Sequence, residues 1–380
     1  YIYDIEIREV LMKVCGIVVE YNPFHNGHLH HLQQARRQSG CDVVVAVMSP
    51  HFVQRGEPAI CDKWARAKAA LACGVDLVIE LPTLHAVQSA AYFAQAAVEL
   101  LALADTDVIV FGSESSDHAQ LEEAARRLEH VVVNERSQSI VRQYESQLGA
   151  MAPNDILGIH YIRAARPYGI QTLCIKRTND YHSCKIDAPI ASATAIRHAF
   201  FHGEDVSAYT PLAAQLDANR RLSALYPYLQ TQLLLDDPAK MRACFLMDEG
   251  IESLFIQAAK ANDTLEAFLD HCTNARYTRS RIQRTLIHYL LHTSKDDANQ
   301  HALPAHLRLL AFTKQARPLL RKLQDEGRPI VSRFHDLPLF YRQMERKATI
   351  LYTHGDAKER KRLLAREGEG PYADLSDHHH

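Results

Sequence analysis

Short, nearly continuous apolar runs rich in β-branched residues recur through the first half of the chain, separated by longer stretches rich in Ala, Leu and Gln. The clear runs are Val14–Val19, 43–47, 77–81 and 108–111, with a weaker one at 172–175. A strand that reads apolar at every position is buried on both faces, the condition of a central strand in a parallel sheet. The intervening stretches 29–38, 64–72, 87–103 and 156–165 carry the 3.6-residue spacing of helices. This alternation predicts an α/β, doubly wound parallel sheet of the Rossmann-like kind. Such sheets bind ligands beyond the carboxyl ends of the strands, where strand order reverses, so the loops after the first, fourth and fifth runs are expected to converge.

Beyond about Phe200 the strand pattern fades, and stretches 281–291 and 307–323 read as helices. A chain of 380 residues exceeds the usual size of one domain. The chain is expected to divide into residues 12–200, the α/β domain, and residues 201–366, a mostly α-helical domain. Residues 367–380 form a tail in which His378, His379 and His380 read as a tag. Met12 directly precedes the first strand pattern, so residues 1–11 read as an upstream segment.

A formal net charge of −2 argues against a uniformly basic nucleic-acid binder, so any RNA contact must come from local patches. The eight cysteines show no CxxC pair, which predicts reduced thiols and a cytoplasmic location. No apolar run is long enough to span a bilayer.

The first run ends in Tyr21-Asn22-Pro23-Phe24-His25-Asn26-Gly27-His28-Leu29, where Pro23 and Asn26-Gly27 punctuate the chain before a helix opens. Gly27 removes the Cβ that would keep a polyphosphate from the backbone, and the free N–H groups of a helix start attract anions. His25 and His28 can share one face of that first turn and stabilise charge spreading over an α-phosphate, which makes them the catalytic candidates. A zinc site built from His25, His28, His30 and His31 lacks a Cys or carboxylate partner at ligand spacing, so no metal is assigned to protein side chains. The tetrapeptide His25-Asn26-Gly27-His28 resembles the HxGH signature of the nucleotidyltransferase superfamily.

Further along, Ile190-Ala191-Ser192-Ala193-Thr194-Ala195-Ile196-Arg197 resembles the superfamily's ISSTxIR segment, with Ala193 replacing its second Ser. Ser192 and Thr194 suit either a helix cap or donation to the β- and γ-phosphates, with Arg197 one turn on. The KMSKS signature of aminoacyl-tRNA synthetases is absent. Phe111-Gly112-Ser113-Glu114 follows the fourth run, Asn154 opens a helix after Pro153, and Lys176-Arg177 ends the fifth.

The longer stretch Val18-Val19-Glu20-Tyr21-Asn22-Pro23-Phe24-His25-Asn26-Gly27-His28 resembles the tRNA(Met) cytidine acetate ligase family. So do Gln54-Arg55-Gly56-Glu57-Pro58-Ala59, Asp62-Lys63-Trp64, Val75-Asp76-Leu77-Val78-Ile79-Glu80-Leu81-Pro82 and Phe111-Gly112-Ser113-Glu114. The resemblance implies an enzyme that activates acetate with ATP to acetyl adenylate and acetylates N4 of the wobble cytidine of elongator tRNA(Met). It also implies ATP contacts along Val18, Val19, Glu20, Tyr21, Asn22, Pro23, Phe24, His25, Asn26, Gly27, His28, Leu29, His30 and His31, and at Gly112, Asn154 and Arg177. Mg²⁺ is expected to arrive on the ATP phosphates. No membrane and no obligate protein partner is expected.

The stretch 49–64 reads as a mobile loop whose Arg55 or Lys63 closes over the adenylate or touches tRNA, or is simply solvated. Tyr21 and Trp64 are candidates for stacking on an extruded base, with core packing the simpler role for Trp64. In the second half Arg276, Arg279, Arg281 and Arg284 interleave with Tyr277 and His288, either a phosphate-tracking surface or a solvated helix face. Two other functions fit the same motifs: an adenylyltransferase acting on a small metabolite, and a nucleotide-regulated RNA-binding protein without turnover.

Overall fold

The computed structural model describes residues 12–129, 149, 151–177 and 191–376. The upstream segment 1–11, Cys184, Ile190 and the terminal histidines lie outside the described residues.

All five anticipated strands form: β1 (Val14–Val19), β2 (Val43–Met48), β5 (Leu77–Glu80), β6 (Val108–Ser113) and β7 (Gln171–Lys176). Between β2 and β5 lie two short strands, β3 (Phe52–Val53) and β4 (Glu57–Pro58), paired as an antiparallel hairpin. The second half adds β8 (Leu307–Thr313), β9 (Ile330–Val331) and β10 (Tyr372–Asp374). The main sheet runs β10-β8-β5-β2-β1-β6-β7, with β9 on β8. Its middle, β5-β2-β1-β6-β7, is parallel throughout, and chain order reverses between β1 and β6.

Alternation along the strands feeds two cores, since successive side chains point to opposite faces of a sheet. Cys15, Ile17 and Val19 of β1 join Val44, Ala46 and Met48 of β2 on one face. The helices Asn26–Ser39 and Lys63–Ala72 cover that face with Leu32, Ala35, Ala67 and Leu71. Val14, Val43, Val45 and Val47 face the other way, under the helices Ala90–Leu103, His118–Glu129 and Pro153–Ala165. The first core continues without a break into the helices Leu222–Leu235, Ile251–Ala261, Leu265–Cys272 and Arg279–Leu290, through residues such as Tyr226, Phe255, Phe268 and Leu286.

The expected helix over 307–323 is wrong in its first half. Leu307–Thr313 is a strand paired antiparallel to β5, and a helix begins only at Arg317. A Leu- and Ala-rich run buried on both faces cannot be assigned to strand or helix from its periodicity. Residues 372–374, read as tail, form an edge strand on β8. The chain beyond residue 200 is therefore helical in its middle and returns to the sheet of the first half.

That return is tied down by buried charge. Lys63 reaches Glu80 at 2.6 Å and Glu367 at 2.7 Å, and Arg308 of β8 bridges the same two carboxylates. Glu367 also accepts the Thr349 hydroxyl, and Glu345 accepts the backbone N–H of Thr83.

Candidate active site

The nucleotide turn is organised by its two histidines before any ligand arrives. His25 caps the helix Asn26–Ser39: its Nδ1 accepts the Gly27 N–H at 3.0 Å, while His28 Nδ1 accepts the His25 N–H at 3.2 Å. This is a capping box made of imidazoles, each partner satisfying a backbone donor of the other's turn. Because both Nδ1 lone pairs are used, the hydrogen of each neutral ring sits on Nε2. The rings lie with centroids 3.7 Å apart. Burial, followed by the positive charges of Arg177 and Arg197, pushes His25 down to about 3. Burial and His25 itself hold His28 well below the ordinary imidazole value. Two neutral N–H donors therefore stand at a helix N-terminus, where backbone amides already favour an anion.

The residues before the turn support it from behind. Tyr21 and Phe24 are both buried and pack on His28, with ring centroids 4.9 and 5.7 Å away. Tyr21 is thus a wall of the site and not a platform for an extruded base. Asn22 Oδ1 accepts the Ile60 N–H, and its carbonyl accepts from Arg197 at 2.7 Å. The bond between Asn22 and Pro23 is cis. Asn26 ties the turn to the helical half by donating from Nδ2 to the Ala208 carbonyl and from its N–H to that of Tyr209. Val18 and Val19 end β1, Leu29 packs partly on the first core, and His30 is half-buried. His31 Nε2 is sealed from solvent without a hydrogen-bond partner, and burial pushes this ring down to about 4.

The loops after β1, β6 and β7 do converge. A Cβ on Gly112 would stand 3.2 Å from Arg177 Cγ, so the bare backbone lets Arg177 lie across the β6 turn. Glu114 accepts from Asn154 Nδ2 and lies 3.7 Å from Arg177. Asp155, not anticipated from the sequence, is buried and receives the Ser113 hydroxyl together with the backbone N–H groups of Glu114 and Ser115. It shapes the β6 turn as a helix-start carboxylate, a role that an isolated Asp after Pro-Asn does not advertise.

Ser192 caps the helix Ala193–Phe201 by accepting the Ala195 N–H at 3.1 Å. Thr194 is half-exposed on its first turn. Arg197 spends one donor on the Asn22 carbonyl, so the second motif braces the first.

The stretch 49–64 is not a free loop. Gln54 donates its N–H to Glu20 Oε1 at 2.7 Å and its side-chain amide to the Gln88 carbonyl, while Gln283 donates to Glu57 at 3.2 Å. Lys63 is fully buried between Glu80 and Glu367, which removes it as a lid or tRNA contact. Its partners lie far along the chain and gave no local sign. Trp64 is buried among the cations of Lys63, Arg308 and Arg366, in accord with a core role. Arg66 is a second residue missed from sequence: fully buried, it donates to the carbonyls of Glu20, Ser49, Pro50 and Cys61, and so pins the ends of β1 and β2 together.

The basic stripe of the second half is largely neutralised. Arg276 pairs with Glu249 at 2.8 Å, and Arg279 with Glu266 and Asp270. Arg281 lies 3.8 Å from Glu249 and stacks over Tyr277. Arg284 differs: burial and the neighbouring Arg281 and Arg55 push it down to about 10. His288 is buried and bonded to the Val87 carbonyl.

A parallel sheet reversing at β1/β6, with paired imidazoles opening the first helix at that reversal, defines a nucleotidyltransferase of the HIGH type. The HIGH Nucleotidyl Transferase family model matches residues 12–366. Within that class the chain belongs to the tRNA(Met) cytidine acetate ligase family. The relative of that name from Limosilactobacillus reuteri is 39% identical, covering 83% of this chain and 88% of the relative. The one from Bacillus subtilis is 35% identical over 90% and 92%. Among solved structures, apo Thermotoga maritima TmcAL superposes with a TM-score of 0.85 at 31% identity, covering 96% of this chain and all of that one. The same protein bound with alpha-thio ATP gives 0.83 at 30% identity over the same shares.

Proposed function

We propose that the protein is an ATP-dependent acetate ligase that makes acetyl adenylate and transfers the acetyl group to N4 of the wobble cytidine of elongator tRNA(Met). The pair of neutral, Nε2-protonated imidazoles at a helix N-terminus carries the reading, because adenylate formation needs donors on the α-phosphate and no covalent catalyst. An acetate oxygen attacks the α-phosphorus in line with the departing pyrophosphate, with His25 and His28 donating to the non-bridging oxygens. The resulting mixed anhydride is electrophilic enough for a weakly nucleophilic exocyclic amine.

ATP occupies residues 18–31, with Gly112, Asn154 and Arg177 bordering the nucleoside end and Thr194 and Arg197 the phosphate end. Mg²⁺ carried on the ATP phosphates would supply charge neutralisation there. Among the described residues no three His, Cys, Asp or Glu side chains are grouped to hold a metal ion. Residues 12–200 serve as the catalytic unit, completed by β8 and β10, and the helical stretch between takes the tRNA. Of the basic candidates Arg55 and Arg284, like charges that face one another, are retained as tRNA contacts, whereas Arg276, Arg279 and Arg281 stand against acids. The cytoplasm, where tRNA and ATP meet, is the proposed location. No described helix is long and apolar enough to cross a membrane.

The test is incubation with ATP, labelled acetate and bulk tRNA, followed by nucleoside mass spectrometry. Label in N4-acetylcytidine is the expected result. Consumption of ATP only with a different acceptor would establish a metabolite adenylyltransferase, and absence of acetate-dependent pyrophosphate exchange would leave a binding protein without turnover.

A further inference from the structure

Acetyl transfer releases a proton that needs a receiver. When the cytidine amine attacks an acyl carbon, positive charge develops on N4, and a proton must leave before the adduct collapses to an amide. Neither imidazole of the nucleotide turn can take it: each Nδ1 already accepts a backbone N–H, and each Nε2 carries the hydrogen. Two neighbouring carboxylates are also committed. Asp155 is filled by Ser113 and two backbone donors. Glu114 binds Asn154 and faces Arg177 with one oxygen, and its other oxygen is sealed from solvent. Glu57 gives one oxygen to Gln283 and lies on the β3–β4 hairpin, off the nucleotide turn.

Glu20 is held differently. It follows β1 directly at the head of the nucleotide turn, its carbonyl accepts from Arg66 at 2.6 Å, and its Oε1 accepts the Gln54 N–H at 2.7 Å. Backbone and side chain are thus both anchored. The side chain is half-buried, and no described residue donates to Oε2.

Resting on the acetate ligase reading, we infer that Glu20 Oε2 is the general base of the transfer step. The N4 lone pair forms the C–N bond while the carbonyl π pair moves onto oxygen, and the N4 proton passes to Oε2. Return of the oxygen pair then breaks the bond from the acyl carbon to the phosphate oxygen, releases AMP, and leaves Glu20 to shed its proton to water. Burial raises the Glu20 carboxyl above its ordinary range, an effect the Gln54 N–H offsets only in part, and this brings the base nearer to working pH. The charged and titratable groups facing it are Arg55 and Glu57 of the β3–β4 hairpin, Arg197 of the helix Ala193–Phe201 and Tyr161 of the helix Pro153–Ala165.

The test uses the full chain with saturating preformed acetyl adenylate and tRNA(Met), following N4-acetylcytidine in a single turnover across a pH series from the acid side to about 8. Wild-type transfer should fall as acidity protonates Glu20. Glu20→Gln should transfer about a hundredfold more slowly and lose that acid limb. Glu20→Asp should keep a slowed rate and a limb displaced in pH. A Glu20→Gln rate close to wild type, or an unchanged limb, would overturn the assignment. If Glu20→Gln does not fold, Glu20→Asp decides alone: a limb at its wild-type pH means that another group titrates. Failure of the wild type to acetylate tRNA from acetyl adenylate would instead sink the ligase reading, whatever Glu20 does.

Discussion

The side chain of His28 does two jobs at once: Nδ1 completes the helix start by accepting the His25 N–H, and Nε2 is left as a donor. His28→Ala removes both. Adenylate formation, followed as acetate-dependent pyrophosphate exchange, should fall about tenfold to hundredfold, the usual effect of losing a transition-state donor. Near-normal exchange would exclude His28 from the chemistry. At this scale the motif residues were legible because strand, turn and helix are contiguous in sequence. Lys63 was not, since its position beside Trp64 says nothing of Glu80 and Glu367, which only folding brings within 2.6 and 2.7 Å.

Among the elements, the β3–β4 hairpin couples the nucleotide turn to the helix Arg279–Leu290. It takes Glu20 at Gln54 and Gln283 at Glu57, and between them Gly56 presses its backbone on that helix. With φ at +80°, a Cβ on Gly56 would lie 2.5 Å from Arg284 N and 2.6 Å from the Gln283 carbonyl carbon, neither of which can rotate aside. Gly56→Ala should therefore cost about 1–3 kcal/mol of stability, measurable as a lowered denaturant midpoint, and should raise KM for tRNA more than KM for ATP. A variant as stable as wild type would show that the hairpin does not rest on the helix. The sequence suggests only a mobile loop over 49–64, and a loop alone cannot say whether its partner is solvent or a helix more than two hundred residues away.

The whole molecule is closed by the buried charge group of Lys63, Glu80, Arg308 and Glu367. Removing one member strands an uncompensated carboxylate, so Lys63→Ala should lower unfolding free energy by about 3–5 kcal/mol. Chemical denaturation checks this, and an unchanged midpoint would mean that the group is not shielded from water. Acid should act on the same scale. Burial holds His51, His160, His288 and His306 down at about 4, and His25 and His85 at about 3, against an ordinary 6.5. Below that ordinary value the unfolded chain binds protons that the folded one refuses, so the associated stability is present above it and is lost as pH falls toward 4. The melting temperature should be flat near neutrality and drop by about 5 °C or more by pH 5, given roughly 2–4 °C per kcal/mol for large domains. A level profile across that interval would contradict neutral buried histidines.

The parallel sheet, its reversal point and the nucleotide turn were determined by the sequence alone, because hydrophobic period, turn residues and helix start are local properties. Only the tertiary structure decided that 307–313 is a strand, that Lys63 is buried, that Arg276 and Arg279 meet acids, and that Arg66 and Asp155 hold the loops. Each of those depends on which distant segment supplies the partner, and a buried apolar run or an isolated charge carries no record of its partner's identity.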